Sequence, residues 1–408
     1  MREVKYLLIG GGLAAVRAAQ QIRTLDADGA VLAVSDEPVI PYDRPPLSKD
    51  YLAGEKSIEA ITLESADKLR DAKIEFALGH AVTKLDPAAK TATLANGEEI
   101  SFAKALIATG GRPVHLDLPG ADLPGIHYLR TAADADAINA DAKPGKKAVI
   151  IGGGFIGLET AATLRKRGVE VTVIEALPRV WQRFGSDVLS NFVTEYCKAR
   201  GVKFLFSTLV SEFRGEGRVS AVVTTEEDEI PCDLVCVGVG IRPNVELATA
   251  AGLEVDNGIV VDAQMRTSNP DIYAAGDVIN YFDPIFERRH RVEHWGHAEH
   301  SGQIAGRAMA GGTETYDLLS YVWSDIFDLH FEFAGDEHEY DNLLVRGDPA
   351  ANEFMILYMK AGRVTAFFSC NTPAREYSMI RRMIQRKKDM SARVGELTDT
   401  KVSLRTLV

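Results

Sequence analysis

Two glycine-rich loops of the same design lie far apart in this chain. They occur in the segments YLLIGGGLAA (residues 6–15) and VIIGGGFIG (residues 149–157). Each follows an apolar run that predicts a buried parallel strand, and each opens a stretch of helical periodicity at its third glycine. Glycines at this point permit a tight turn, let backbone N–H groups approach a pyrophosphate and leave the helix N-terminus facing its charge.

An acidic residue follows each loop at the interval expected for a dinucleotide site. Asp36 comes after the apolar run VLAVS, and Glu175 comes after VEVTVI. In Rossmann-like folds an acid at this point binds the adenosine ribose. Glycine-rich turns also occur in sheets that bind nothing, but two loops with two acids seldom arise together by chance. The sequence therefore predicts two dinucleotides, and an α/β fold with two Rossmann-like dinucleotide-binding domains.

Length and charge agree with a multidomain enzyme. The chain has 408 residues, 46% of them hydrophobic, and a formal net charge of -12. This acidic balance argues against nucleic acid or an anionic membrane as a partner. Because no apolar run is long enough to span a bilayer and the first strand begins almost at Met1, we expect no membrane segment, no signal peptide and a cytoplasmic location.

The cysteines exclude one type of chemistry. Enzymes that reduce disulfides need a reactive cysteine pair, yet the segment EPVIPYDRPPLSKDYL (residues 37–52), which follows the first acid, contains none. The four cysteines of the chain are elsewhere, and we interpret them as packing residues: Cys197, Cys232, Cys236 and Cys370.

A repeated pattern predicts the domain boundaries. Apolar strands end in ATGGRP (residues 108–113) and in VGVGIRPN (residues 237–244), as if the chain crossed between domains twice. From about Tyr321 alternating apolar residues indicate an antiparallel sheet, followed by a helix from about Pro373 to Arg386. We therefore expect a discontinuous first domain (1–112 and 241–320), a second domain (113–240) and an α+β C-terminal domain (321–408).

Several motifs together resemble one enzyme family across essentially the whole chain. GGGLAA, YDRPPLSK, ATGGRP, GGGFIGLE, VGVGIRPN, AAGD and the tripeptide WSD (residues 323–325) are similar to the FAD-dependent NADH:ferredoxin reductases of bacterial oxygenase systems, the putidaredoxin reductase and biphenyl dioxygenase reductase type. The stretch VEHWGHAEHSG (residues 292–302) is more similar to apoptosis-inducing-factor-type flavoproteins.

The resemblance implies a function. A hydride would pass from NADH to FAD, and single electrons would pass to a small acidic two-iron two-sulfur ferredoxin that serves an oxygenase. Two alternatives stay open. One is an NADH dehydrogenase with a quinone or a monodehydroascorbate-type acceptor, and the other is a flavoprotein of the apoptosis-inducing-factor type that responds to NADH.

The resemblance also implies the site residues. In the family Lys49 and Glu159 form a catalytic pair beside the nicotinamide, although a glutamate near a helix start is commonly just solvated. For Asp277 the alternative is a simple turn cap. The residues implied for FAD are Gly10, Gly12, Ala14, Asp36, Arg44, Lys49, Val82, Arg130, Gly276, Asp277 and Trp295, and those implied for NAD(H) are Gly152, Gly154, Gly157, Glu159 and Glu175.

Three further features allow two interpretations each. Glu175 favours NADH because a carboxylate repels a 2′-phosphate, but Arg179 nearby leaves some use of NADPH open. Four histidines in residues 290–300 suggest a metal, but their spacing matches no zinc signature, so we predict no metal and a helix start at Trp295 facing the flavin. Trp323 is either a wall of the cofactor site or plain core.

Basic runs lie at residues 288–291 and 381–388. Such runs are commonly solvated faces. On a chain of net charge -12 they are also candidates for a patch that docks an acidic ferredoxin.

Overall fold

The computed structural model describes residues 1–338 and 340–408. The chain forms two compact units. The first consists of Met1–Asp43, Ile58–Arg112 and Arg242–Tyr321, and the second of Arg44–Ser57, Pro113–Ile241 and Val322–Val408. The division into three domains stays a prediction.

Nine α-helices lie in the described residues. They are α1 Leu13–Leu25, α2 Ala66–Asp71, α3 Ala132–Asp141, α4 Phe155–Lys166, α5 Asp187–Ala199, α6 Glu246–Ala250, α7 Trp295–Met309, α8 Ala374–Gln385 and α9 Val394–Thr398. None of them, over the part of the chain that the structure describes, has the length and apolar character needed to cross a membrane.

The strands are short and numerous. The first half of them comprises β1 Arg2–Ile9, β2 Val31–Ser35, β3 Ile74–Leu78, β4 Val82–Asp86, β5 Thr91–Leu94, β6 Glu99–Ile107, β7 Gly111–Pro113, β8 Ile126–Tyr128, β9 Lys147–Ile151, β10 Glu170–Glu175, β11 Val202–Phe206 and β12 Val210–Arg214. The second half comprises β13 Ala221–Thr224, β14 Glu229–Pro231, β15 Leu234–Val237, β16 Ile241–Pro243, β17 Ile259–Val260, β18 Ile272–Ala274, β19 Ile279–Asp283, β20 Arg288–His290, β21 Tyr321–Ile326, β22 Leu329–Gly335, β23 Asn342–Asp348, β24 Glu353–Lys360 and β25 Arg363–Cys370.

The first unit is built on a seven-stranded sheet. Its strand order is β3-β2-β1-β6-β5-β4, with β18 added to β6. The members β3, β2, β1, β6 and β18 run parallel, and all five residues of β2 are buried. Strands covered on both faces are apolar throughout, which explains the run VLAVS. The glycine loop, Asp36 and the pair Gly276-Asp277 follow β1, β2 and β18, so they lie at one edge of the sheet.

Helices α1 and α7 pack together through small residues. A Cβ added to Gly302 would lie 2.4 Å from the carbonyl oxygen of Ala14, and one added to Gly306 would lie 2.3 Å from that of Ala18. The two helix backbones therefore approach more closely than alanine would permit. This contact holds α1, and with it the first glycine loop, against α7.

Replacing Gly306 with alanine is expected to destabilise the protein by about 1–3 kcal/mol, because the added methyl group separates α1 from α7. The destabilisation is measured as a lower melting temperature of the variant. Gly395→Ala in α9, where a Cβ has no neighbour within 4 Å, is the matched control and is expected to be neutral or slightly stabilising. Equal melting temperatures for Gly306→Ala and the wild type would contradict the tight contact.

The second unit contains a parallel sheet, a small antiparallel sheet and a larger antiparallel sheet. The parallel sheet has the order β11-β10-β9-β15-β8, and the second glycine loop follows its central strand β9. The small sheet is β12-β13-β14. The five-stranded sheet β21-β22-β25-β24-β23 precedes α8, so the predicted C-terminal antiparallel sheet and helix are confirmed.

The strand predicted to end in VGVGIRPN is interrupted. It is divided into β15 and β16, because Gly240 has a φ of +107° that interrupts an extended strand. After Gly276-Asp277 the chain continues as β19, which pairs with β20 antiparallel.

Candidate cofactor and nucleotide sites

The first glycine loop has a shape that only glycine permits. Gly10 has a φ of +128°, and a Cβ there would lie 2.2 Å from the carbonyl oxygen of Ala108. Gly12, which precedes the first residue of α1, has no atom within 4 Å of its Cβ position. The loop is therefore held tightly on its inner side by the residue that follows β6 and is open on the side where α1 begins. A phosphate group fits this open side.

Three helices begin in a way that suits an anion. Helices α1, α4 and α7 have neither a side-chain cap nor an acidic residue in their first turn. Every other α-helix of the described residues has an acid in its first turn, and three of them are also capped by Ser65, Thr131 or Ser186. The starts of α1 and α4 therefore suit a negatively charged ligand, because the first N–H groups of a helix have no partner within the helix.

Some of the predicted FAD residues meet in the first unit. A Cβ on Gly276 would lie 3.2 Å from that of Ala14, and the Gly276 N–H donates to Ser301 Oγ at 3.0 Å. Trp295 opens α7 as predicted, and its indole N–H donates to Asp43 at 2.8 Å. The remaining three lie at other points of the unit: exposed Asp36 after β2, half-buried Val82 on β4 and half-buried Asp277 after Gly276.

Three predicted FAD residues belong to the second unit instead. They are Arg44, Lys49 and Arg130. Arg44 precedes a short 3-10 helix (Pro45–Ser48), and its guanidinium donates to the carbonyl oxygen of Arg130. Their proposed contact with FAD stays a prediction.

Glu159 is the centre of a buried hydrogen-bond network in the second unit. It is the fifth residue of α4 and is only 2% exposed. One carboxylate oxygen accepts from Lys49 Nζ at 2.9 Å and from Ser324 Oγ at 2.6 Å, while the other accepts from Ser48 Oγ at 2.5 Å. The simple alternative, a solvated glutamate near a helix start, is wrong. A buried carboxylate with three donors is held in one orientation.

Lys49 also faces a second charged pair. His330 Nδ1 lies 2.7 Å from Asp325 Oδ1. Burial would raise the pKa of Asp325, but the hydrogen bond from His330 and the nearby charge of Lys49 outweigh it and lower that pKa. The hydrogen bond with Asp325 raises the pKa of His330. The sequence contained no signal for His330.

The second glycine loop repeats the geometry of the first. Gly152 has a φ of +105°, and a Cβ on it would lie 2.5 Å from the carbonyl oxygen of Gly238. A Cβ on Gly157 would lie 2.0 Å from the carbonyl oxygen of Gly152, and Gly154 is open. Glu175, at the end of β10, accepts a hydrogen bond of 2.6 Å from the Gly153 N–H. The structure thus brings the predicted acid to the predicted loop.

An aromatic cluster packs beside this loop and was not predicted. Phe155, the first residue of α4, lies 5.1 Å from Trp181 between ring centroids. Trp181 in turn lies 5.1 Å from both Phe331 and Phe368, which belong to β22 and β25. The cluster therefore fixes the start of α4 against the C-terminal sheet. Only the excess of phenylalanine in residues 331–368 could have suggested it.

The four histidines of residues 290–300 do not converge on one point. The ring nitrogens of His290 form hydrogen bonds with Tyr281 and Asp283, whereas those of His294, His297 and His300 form them with Ser320, Tyr316 and Asp317. Within the described residues, three ligand-type side chains lie within 4.8 Å of one another at Asp336, Glu337 and His338, outside this tract. The absence of a metal stays a prediction.

His297 makes stability depend on pH. Burial lowers the pKa of His297 to about 3. Below about pH 6.5 the imidazole is therefore protonated in the unfolded chain but still neutral in the folded protein. Stability should therefore fall by about 1 kcal/mol per pH unit as the pH drops from about 6 to 4. Melting temperatures of His297→Gln should depend less on pH than those of the wild type. His300→Gln in the same helix is the control, and equal slopes for all three proteins would contradict the assignment.

All four cysteines are free and buried. Burial raises the pKa of the thiols of Cys197, Cys232, Cys236 and Cys370 to about 12. Such thiols remain protonated and unreactive at neutral pH. The interpretation of the cysteines as packing residues is confirmed.

The basic runs are partly used within the fold. Arg289 donates to the carbonyl oxygens of Val261 and Asn280, and Arg291 pairs with Glu293. Arg381 lies 3.6 Å from Glu332. The role of either basic run in docking stays a prediction.

Trp323, on β21, is half-buried. Its contact with a cofactor stays a prediction.

Comparisons with known proteins cover the whole chain. The profile of the pyridine nucleotide-disulphide oxidoreductases matches residues 4–302, and the profile described as reductase C-terminal matches residues 321–408. A ferredoxin–NAD(P)+ reductase from Sphingomonas is 38% identical over 93% of this chain and 92% of its own length. The ferredoxin–NAD+ reductase component of an anthranilate 1,2-dioxygenase system from Burkholderia cepacia is 36% identical, with 93% of each chain covered.

A solved structure agrees with these relatives. The covalent complex of putidaredoxin reductase with putidaredoxin contains a chain that superposes with a TM-score of 0.95 at 31% identity. The match covers 100% of this chain and 98% of that one.

Proposed function

The chain belongs to the pyridine nucleotide-disulphide oxidoreductase family, and from this premise we propose that it is a flavoprotein that oxidises NADH and reduces a small iron-sulfur ferredoxin. The ferredoxin would carry single electrons to an oxygenase. The observation that carries the proposal is the similarity, over more than nine tenths of the chain, to reductases named for ferredoxin.

The cysteines support electron transfer out of the protein. The family name refers to disulfides, yet burial raises the pKa of every thiol of this chain to about 12. Without a reactive thiol the chain cannot pass reducing equivalents to a disulfide of its own. An external one-electron acceptor therefore agrees better with these buried thiols than a disulfide within the chain does.

The chain binds FAD and a nicotinamide nucleotide. We assign FAD to the first glycine loop, with Gly10, Gly12 and Ala14 at the pyrophosphate, Asp36 at the ribose and Gly276 beside them. The open space at Gly12 and the uncapped start of α1 support this assignment. Bound FAD supplies the conversion of one hydride into two single electrons.

Lys49 and Glu159 are the proposed catalytic pair. Glu159 holds the Lys49 ammonium at 2.9 Å, and the two serines on Glu159 leave the carboxylate little freedom to turn. A fixed pair of opposite charges can position the nicotinamide ring and keep water out of its path. The role proposed for this pair is positioning of the nucleotide, not proton transfer.

The second glycine loop is the proposed site of NADH. Gly152, Gly154 and Gly157 would face the pyrophosphate, and the carboxylate of Glu175 would accept hydrogen bonds from the ribose hydroxyls. A negative charge at this point disfavours the 2′-phosphate of NADPH. NADH as the nucleotide and the cytoplasm as the location remain parts of this proposal.

The test is reduction of cytochrome c by the purified protein with NADH, with and without a two-iron two-sulfur ferredoxin. We expect fast reduction only when ferredoxin is present, with a rate that falls as salt rises, because an acidic ferredoxin would dock on basic residues. Rapid reduction of a quinone without ferredoxin would favour the dehydrogenase alternative instead. A long-lived complex with NAD and dimerisation on NADH would favour the apoptosis-inducing-factor type.

A further inference from the structure

The segment that follows Glu175 is anchored at both ends. Glu175 accepts hydrogen bonds from the N–H groups of Gly153 and Leu177, at 2.6 and 2.8 Å. These two bonds fix the carboxylate beside the second glycine loop. If a nucleotide binds to this loop, as the proposed function states, its ribose lies beside the negative charge of Glu175, and the position of that charge is fixed.

Val180 holds the far end of the same segment. A Cβ on Gly153 would lie 2.9 Å from Val180 Cγ1, so Val180 contacts the glycine loop. The carbonyl oxygen of Val180 accepts a hydrogen bond of 2.8 Å from Ser190 in α5. Arg179, the preceding residue, is thus held between the loop and the start of α5.

Arg179 is the cation of this segment, and it is already paired. Its guanidinium forms an ion pair with Asp187, the first residue of α5. The Arg179 side chain is 34% exposed, and its Nε is buried without a hydrogen-bond partner among the described residues. The guanidinium is therefore turned towards Asp187 and leaves one of its own donors unused. An arginine beside a Rossmann ribose site is the usual partner of a 2′-phosphate.

We propose that Asp187 is a specificity-determining residue for the nicotinamide nucleotide, because it withholds Arg179 from a 2′-phosphate. With Asp187 in place, two carboxylates and one guanidinium flank the ribose end, so the local charge is negative and a doubly charged phosphate is repelled. Without the Asp187 charge, Arg179 is free to turn towards the phosphate. The inference rests on the proposed function for the placement of the ribose beside Glu175.

The test is the variant Asp187→Asn, which keeps the size of the side chain at the start of α5. Binding of adenosine 2′,5′-bisphosphate and of 5′-AMP to the flavin-loaded protein is measured by titration calorimetry. We expect the variant to bind the bisphosphate about tenfold more tightly than the wild type, a change of about 1.4 kcal/mol, with little change for 5′-AMP. The ratio of kcat/KM for NADPH to that for NADH should rise by a similar factor.

Two further variants separate this role from a simple change of charge. Glu195→Gln removes an acid from the same helix, where it pairs with Lys198 at 2.8 Å, and should leave the preference unchanged. The double variant Asp187→Asn/Arg179→Ala should bind adenosine 2′,5′-bisphosphate no more tightly than the wild type. The proposal would be overturned if Asp187→Asn bound the bisphosphate no more tightly than the wild type, or if the double variant kept the tighter binding.

The proposed function has its own readout. Absence of flavin reduction by either nucleotide in the wild type would refute the function. The calorimetric comparison needs no electron transfer, so it judges the role of Asp187 separately.

Discussion

Replacing Glu159 with glutamine is expected to slow reduction of the bound flavin by NADH by about 10- to 100-fold, because a displacement of about 1 Å at a positioning group has effects of this size. Glutamine has the same shape but no charge, so Lys49 loses the partner that holds it at 2.9 Å. Stopped-flow absorbance of the flavin measures the rate directly. Lys49→Met is expected to have a similar effect, since either change removes the pair.

Glu159→Gln is also expected to lower the free energy of unfolding by about 3 kcal/mol, because the buried ammonium of Lys49 loses the carboxylate with which it pairs. The Lys49 side chain is only 15% exposed, so water cannot fully replace the carboxylate. The double variant Glu159→Gln/Lys49→Met removes both charges and should recover much of that stability. It should not recover the rate, and this difference separates folding from function.

The control for Glu159→Gln is Glu396→Gln. The Glu396 side chain is 41% exposed and pairs with Arg393 at 2.8 Å, so solvent screens this ion pair and it contributes less than a buried one. Neither the reduction rate nor the melting temperature should change there by a measurable amount. Unchanged reduction rates in both Glu159→Gln and Lys49→Met would refute the catalytic role of the pair.

The serines that hold Glu159 allow a graded version of the experiment. Ser48→Ala and Ser324→Ala each remove one donor but leave the ion pair in place. Each should therefore have a smaller effect on the rate than Glu159→Gln. A larger effect on the Michaelis constant than on kcat would indicate that the serines act on nucleotide binding alone.

Local sequence patterns predicted the parts of the fold that depend on neighbouring residues. The glycine loops, the starts of α1 and α4, and the alternating strands after Tyr321 all follow from backbone freedom and hydrophobic period, and all are confirmed. The family resemblance is confirmed as well. The local features can be predicted because each is determined by the residues of one short segment.

Features that depend on distant residues were not predicted. The burial of Glu159 requires Ser48 and Ser324, which lie 111 and 165 residues away along the chain. Arg289, in the basic run from Arg288, resembles a solvated residue but donates to the carbonyl oxygen of Val261, 28 residues earlier in the chain. In both cases a polar residue has its partner elsewhere in the fold, and local polarity alone cannot indicate that partner.

Exchanging Gly10 for alanine is expected to remove FAD from the purified protein, whereas the same exchange at Gly152 should leave FAD bound and abolish tight binding of NADH. A residue with a side chain at φ +128° costs about 1–3 kcal/mol in backbone strain. A Cβ 2.2 Å from the carbonyl oxygen of Ala108 must also push the loop away from β6. The pyrophosphate cradle of the first loop would then lose its shape.

The two exchanges are measured on the same preparations. Flavin absorbance after gel filtration reports FAD, and calorimetric titration with NADH reports the nucleotide. Gly97→Ala and Gly145→Ala are the matched controls, because both positions have a positive φ but no atom within 4 Å of the added Cβ. They carry the backbone strain without the collision, so both should retain FAD and bind NADH.

The outcome decides which loop serves which ligand. If Gly10→Ala retained its flavin, the first loop would not be the FAD site, and if Gly152→Ala lost its flavin, the second loop could not be reserved for NADH. The expected pattern, loss of FAD from one variant and loss of NADH from the other, requires each dinucleotide to have its own loop. Because Gly10 and Gly152 have nearly the same constraint, φ +128° and +105° with a carbonyl oxygen at 2.2 and 2.5 Å, a difference between the variants reflects the ligand and not the severity of the substitution.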